Sequence, residues 1–202
     1  MSCVKCFFQN KFDIDIGTDY SDIIGTSLIF SLQYYLDKFH LSAYDLQYLA
    51  DLKENAYYEL AKNCLSSFPH CEEFIQLLLQ HGFLISVASS GSLNKIKFSL
   101  DTVNLSKYFS VITSTVDVKH GKPAPDLYFL AARKLNVEPS SCLVIEDSVN
   151  GVRAAKQAGM HVAGFPGTFQ KKLLTKEGAI YVKNGYSELI EKLNEYFRQV
   201  HS

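Results

Sequence analysis

From about residue 80 onward the chain alternates short apolar runs with helical patterns, and few architectures satisfy that rhythm. The apolar runs are FLISVAS (83–89), FSVITS (109–114), CLVIED (142–147), HVAGF (161–165) and AIYV (179–182). LNKIKFSLDTVNL (93–105), DLYFLAARKLNV (126–137), VNGVRAAKQAG (149–159) and SELIEKLNEYF (187–197) fall after four of them and read as helices. Strands that alternate with helices form a parallel sheet covered on both faces. The expected class is therefore α/β. Ligands in such sheets bind beyond the carboxyl ends of the strands, so those ends are where chemistry is sought.

The first part of the chain has another rhythm. SLIFSLQYYLDKF (27–39) sets Ile29, Leu32, Tyr35 and Leu36 at helical spacing, and AYDLQYLADLKENAYYELAKNCL (43–65) does the same with Leu46, Leu49, Leu52, Ala56 and Leu60. The many tyrosines here read as core or rim packing. Residues 1–75 are expected to form a helical unit and 76–202 the α/β unit. No internal repeat or low-complexity tract is visible.

Composition narrows the function classes. A hydrophobic share of 47% and a charged share of 20% suit a soluble globular protein rather than a disordered one. The net charge of −1, with Lys and Arg spread along the chain, gives no footprint for nucleic acid. No apolar run approaches the roughly 18 residues of a membrane span. MSCVKCFFQNKF lacks the pattern of a secretory signal, so a cytosolic location is expected; the expected oligomeric state is a monomer. The five cysteines, an odd number, fit a reducing compartment. Cys3 and Cys6 could be half of a zinc site or a redox pair. Cys64, Cys71 and Cys142 stand singly and offer no second ligand pair, which favours small apolar side chains on a helix face.

Three strand ends carry polar groups. Ala88-Ser89-Ser90-Gly91 puts hydroxyls and backbone N–H groups just before a helix, an arrangement that suits an anion. Ser90 or Ser92 could equally be the cap of that helix. HGKPAPD (120–126) stiffens the loop presenting Lys122 with two prolines and a glycine, although a lone lysine can also be a solvated one. Asp126 is the expected cap of the next helix. VIEDSVNG (144–151) sets Glu146 and Asp147 side by side at the end of an apolar strand. Such a pair is costly unless it is compensated, and Mg²⁺ is the natural partner; the alternative is two solvated acids in a loop.

Taken together, VASS, GKPAPD and VIEDSVNGVRAAKQAGM resemble three of the four motifs of the haloacid dehalogenase superfamily. More narrowly, the chain is similar to the β-phosphoglucomutase and phosphoglycolate phosphatase-like branch, which carries an α-helical cap on a Rossmann-like core. SFPHCEEFIQLLLQHGF (67–83) resembles the helix joining cap to core, and IGTSLIFSL (24–32) the cap segment that faces the active site. The resemblance implies phosphoryl transfer on Mg²⁺ with a small phosphorylated metabolite of the sugar-phosphate class. An aspartate of the first motif attacks phosphorus, and a second, two residues on, serves as acid and base. By the same resemblance Ser89 and Lys122 are catalytic and, with Ser90, bind phosphate; Glu146 and Asp147 hold the metal. Lys53, in LADLKENAYY, matches a cap lysine that reaches toward substrate in some relatives, and Thr26 and Ser27 are further cap candidates.

FDIDIGT (12–18) offers an aspartate pair, Asp13 and Asp15, and three readings of it differ in consequence. It can end a cap helix and enter a loop; CVKCFF (3–8) can be the central strand with Gln9 and Lys11 at the acid positions; or Asp13 and Asp15 can be the first motif. The first reading fits best. Gln9-Asn10-Lys11 precedes Phe12 where a buried strand is needed, Ile16 stands where the family has a small glycine, and too few residues separate Asp15 from IGTS. On that reading the first-motif strand is absent, and two interior strand edges go without a partner. Two functions then compete: a Mg²⁺-dependent phosphatase or phosphomutase, and a non-catalytic relative that binds a phosphorylated ligand or a partner. A nucleotide-cofactor domain is disfavoured, because no G-x-G-x-x-G follows a strand.

Overall fold

The computed structural model describes residues 3–16, 23–41, 43–167 and 169–200. It opens with three helices, α1 (Cys3–Phe12), α2 (Leu28–Lys38) and α3 (Leu46–Cys64). Ser27 caps α2 by accepting from the Phe30 N–H, and Asp45 caps α3 by accepting from the Tyr48 N–H. Their apolar stripes meet in one cluster built on Phe8, Leu32, Tyr35, Leu36 and Leu49. Phe8 and Tyr35 pack with ring centroids 5.1 Å apart. The strand reading of CVKCFF is thereby overturned: the segment is helical, and Phe8 is fully buried among helices. Phe12 ends α1 and Asp13 follows at φ 56°, so FDID is a helix end and the start of a loop. Gly17 and Thr18, and the side chains of Cys3 and Cys6, lie outside the described residues.

Helix α4 (Cys71–Gln80) leads into five short parallel strands: β1 (Ser86–Ser89), β2 (Val111–Ser114), β3 (Leu143–Glu146), β4 (His161–Gly164) and β5 (Ile180–Tyr181). Between them run α5 (Leu93–Thr102), α6 (Asp126–Leu135), α7 (Val149–Gln157) and α8 (Lys171–Lys176), and α9 (Tyr186–Val200) follows β5. The pleat of β3 shows how both faces are covered. Val144 packs into a cluster with Tyr128 and Ala132 of α6 and Val152 and Ala155 of α7. Ile145 packs on the other side with Phe74 of α4 and Leu189 of α9.

The strands are shorter than the apolar runs that foretold them. Phe83 and Leu84 stay outside β1 and remain exposed, because β2 starts only at Val111, opposite Ser86. Helix α8 leaves no signal in the sequence: at six residues, with Leu174 as its buried residue, it is too short to show a period. Asp126 is not a cap. Pro125 holds that position, and Asp126 sits in the first turn of α6 with His120 at 3.2 Å.

The strands divide into two sheets, β1-β2 and β3-β4-β5. Ala88 of β1 and Val144 of β3 pack into the same cluster, so the sheets share a core. Among the described residues no strand bridges them, and β1 and β3 are each paired along one edge only.

Candidate active site

The carboxyl ends of β1 and β3 and the loop after β2 meet the helical lobe around a cavity of about 480 Å³. Its lining includes Ser89, Ser90, Lys122, Glu146 and Asp147 from the α/β part, and Thr26, Lys53 and Glu54 from the helices. Residues far apart in the chain, singled out at three separate loops, therefore share one space. Ser27 is not among them; its hydroxyl is spent on capping α2. Asp13 and Asp15 are exposed and do not line the cavity, and Asp13 Oδ1 accepts from Gln9 Nε2 at 2.7 Å.

The loop after β1 is braced from β2. Ser114 Oγ donates to the Gly91 carbonyl at 2.6 Å, and Thr115 Oγ1 to the Ser90 carbonyl at 3.0 Å. Ser89 Oγ accepts from the Gly91 N–H at 3.2 Å, which leaves its own hydroxyl proton as a donor for an anion. The capping role goes to Ser92, which accepts from the Lys95 N–H. Ser90 instead donates to the Gly25 carbonyl at 2.5 Å and ties the loop to the helical lobe. Asn150 Nδ2 makes a second tie, donating to the Ile24 carbonyl at 2.9 Å. Gly25 runs at φ +87° with a β-carbon position against Ser148 Oγ, so both its conformation and its surroundings demand glycine.

Lys122 is 7% exposed, and its ammonium is enclosed rather than solvated. Nζ donates to Glu146 Oε1 at 2.5 Å and stands 4.9 Å from the centroid of the Tyr128 ring. Tyr128 OH donates to the same oxygen at 3.1 Å. Glu146 Oε2 accepts from the Ser148 N–H at 2.8 Å and from Ser148 Oγ at 3.0 Å, while Ser148 Oγ also caps α7 at Gly151. Four donors thus serve one carboxylate. Burial alone would push the Lys122 pKa down, but Tyr128 and Glu146 more than reverse it and hold the ammonium protonated. Burial would raise Glu146, yet the Lys122 charge and the Ser148 donors bring it below the ordinary carboxylate range. The Tyr128 hydroxyl is raised, chiefly by burial, and is a donor at neutral pH.

Glu146 is therefore engaged by Lys122, Tyr128 and Ser148, and its neighbour Asp147 also lines the cavity. A β-carbon at Gly167 would stand 2.9 Å from Asp147 Oδ2, so the glycine makes room for that side chain. Among the described residues no group of three or more His, Cys, Asp or Glu converges. One carboxylate completed by phosphate oxygens and water fits Mg²⁺, which keeps much of its hydration. It does not fit a fully protein-caged ion.

Several contributors were not visible in the sequence. Tyr128 reads as helix packing, and only its place in the first turn after GKPAPD could have drawn notice. Gly151 looks like an ordinary helix glycine, yet a β-carbon there would overlap the Glu146 carboxylate. Lys95 belongs to the lining too, with Nζ 4.1 Å from the Tyr57 ring centroid.

Fold and cavity together define the class: a parallel α/β protein whose strand ends close against helices around one polar space. The chain belongs to the haloacid dehalogenase-like hydrolase family, whose pattern matches residues 8–165. Among solved structures, it resembles a β-phosphoglucomutase from Clostridium difficile at 26% identity and a TM-score of 0.78, covering 96% of this chain and 89% of that one. A phosphorylated carbohydrates phosphatase from Thermotoga maritima is 35% identical over 96 residues, 48% of this chain and 44% of that protein. A bifunctional riboflavin kinase/FMN phosphatase from Arabidopsis thaliana is 39% identical over 103 residues, 50% of this chain and 27% of that protein. The matched stretch thus spans less than half the length of these curated relatives.

Proposed function

We propose that this chain carries the phosphate-binding and charge-neutralising groups of a Mg²⁺-dependent phosphatase or phosphomutase site for a small phosphorylated metabolite of the sugar-phosphate class. The observation that carries the reading is the convergence of Ser89, Lys122 and Asp147 on one cavity. In it, Ser89 and the N–H groups at the start of α5 bind phosphoryl oxygens, and Lys122 offsets charge that builds on the transferring group. Asp147 would hold Mg²⁺, which when bound neutralises phosphate charge and orients it. Residues 1–75 act as a cap over a core of 76–202, with Thr26 and Lys53 on the substrate side of the cavity. The protein works as a cytoplasmic monomer.

Glu54, Glu146 and Asp147 are the carboxylates that line the cavity among the described residues, and none suits a nucleophile. Glu146 is saturated, Glu54 accepts from Tyr58 OH at 3.2 Å, and Asp147 is assigned to the metal. A nucleophilic aspartate would enter on a strand lying between β1 and β3. The exposed position of Asp13 and Asp15 favours a second reading, in which the pocket of Ser89, Lys122 and Asp147 belongs to a non-catalytic protein that binds a phosphorylated ligand or a partner. Calorimetric titration with inorganic phosphate, with and without Mg²⁺, tests the shared part. Binding strengthened by Mg²⁺ and abolished in Lys122→Met is expected; no phosphate binding at millimolar concentration with Mg²⁺ would overturn the assignment. Hydrolysis of p-nitrophenyl phosphate separates the two readings. Turnover only after a D-x-D strand is fused ahead of residue 1 marks the enzyme, and binding without turnover even then marks the binder.

A further inference from the structure

We infer that Tyr128 is the positioning residue for Lys122, and that it forms with Glu146 and Gly151 a buried cradle fixing where the ammonium points. The inference rests on the phosphate reading of the cavity and adds to it a part that no sequence motif marks. A lysine on four methylenes has many rotamers, and holding it in one costs conformational entropy. Three contacts offset that cost. The ring lies beneath Nζ at 4.9 Å, the Glu146 carboxylate takes a proton of Nζ at 2.5 Å, and Tyr128 OH donates to the same Oε1 at 3.1 Å. Cation–π contact and the charged hydrogen bond are both strengthened where water is excluded, and Tyr128 is only 5% exposed.

Each member of the cradle fixes another. Tyr128 is held from below by the α6–α7 cluster, where it packs with Ala132, Val152 and Ala155. Glu146 is held from the far side by Ser148 and from above by the bare Cα of Gly151. Oε1 accepts from two donors and Oε2 from two more, so the carboxylate cannot turn without losing a bond. In this arrangement Glu146 serves the lysine. The hydroxyl of Tyr128 sets the Glu146 oxygen, and its ring sets the ammonium.

The test uses the 202-residue chain, isotopically labelled at lysine, with Tyr128→Phe, Tyr128→Leu and Gly151→Ala. The Lys122 Hε protons should show an upfield ring-current shift in the wild type, largely kept in Tyr128→Phe and lost in Tyr128→Leu. The Nζ protons, slow to exchange in the wild type, should exchange faster in all three variants. Phosphate affinity with Mg²⁺ should fall about threefold in Tyr128→Phe and about tenfold or more in Tyr128→Leu and Gly151→Ala, in line with one hydrogen bond and one cation–π contact. Mn²⁺ affinity, read by electron paramagnetic resonance, should stay unchanged in these variants and fall in Asp147→Asn. A Lys122 resonance indifferent to the Tyr128 substitutions would overturn the inference. So would wild-type phosphate affinity in folded Tyr128→Leu when Lys122→Met has lost it. If the resonances move as expected but the wild type binds no phosphate, the cradle stands and the phosphate reading fails.

Discussion

Strands β1 and β4 are alike in length and each pairs in parallel, yet they sit in the molecule differently. β4 has a neighbour on each side, β3 and β5, and Val162, Ala163 and Gly164 are buried. Among the described residues β1 pairs with β2 alone, and all four of its residues are only partly buried. The apolar character of VAS resembles that of VAG, so the difference lies outside the strand. In a parallel sheet a strand is buried by its neighbours as much as by its own side chains. Among the described residues the edges of β1 and β3 that carry no partner strand also end on the same cavity.

Lys122 follows β2 and Glu146 ends β3, so their ion pair joins the two sheets where, among the described residues, no strand does. Breaking it is the strongest way to separate them. Lys122→Met leaves a buried carboxylate without its cation and should cost about 3–5 kcal/mol, read by urea unfolding. A more exposed pair such as Lys192–Glu188 should cost below about 1 kcal/mol when broken. Next comes packing. Leu174 is fully buried beneath β4, and Leu174→Ala should cost about 2–5 kcal/mol. Leu143, 57% exposed at the start of β3, should cost under about 1 kcal/mol in the same substitution. Similar losses at both positions would erase the distinction between closed and open edges.

A third prediction concerns pH. The folded Glu146 carboxylate binds its proton more weakly than the unfolded one, with burial opposed and outweighed by Lys122 and Ser148. Its contribution is therefore complete above the ordinary glutamate value of about 4.3 and is lost as pH falls through the lower folded value. Glu146→Gln should flatten that part of the acid limb in a stability–pH series, and an unchanged limb would count against the pair. Hydrogen exchange gives a finer reading: backbone amides of β1 that face the open edge should exchange far faster than those of β4. The smallest effect is expected at the ties between the helical lobe and the loops. Asn150→Ala removes the bond to the Ile24 carbonyl and should cost about 1 kcal/mol, with a larger proportional loss in phosphate affinity if the ties hold the cavity shut.

Much of this was legible beforehand because its signals are local. The strands after residue 80 announced themselves as apolar runs, and α7 ended where Gly159, at φ 74°, allowed the chain to turn. GKPAPD and VIEDSVNG fixed Lys122, Glu146 and Asp147 as polar groups at strand ends. Less legible was the division of labour between Glu146 and Asp147. Adjacent acids look equivalent in a string; here Glu146 meets four donors in the core, and Asp147 fills the room that Gly167 leaves. Ser90 and Ser92 posed the same difficulty, and only the helix axis decided which would cap and which would reach the Gly25 carbonyl.

By itself the sequence determined the class of sheet, the order of its elements and the polar groups at its strand ends, because pleat, helix period and turn chemistry are written in neighbouring residues. Tertiary structure alone decided that CVKCFF is a helix, that Tyr128 lies beneath Lys122, and that β1 and β3 go unjoined among the described residues. Those outcomes depend on partners distant in the chain. A residue's surroundings, and not its own chemistry, determine which of its possible contacts is made.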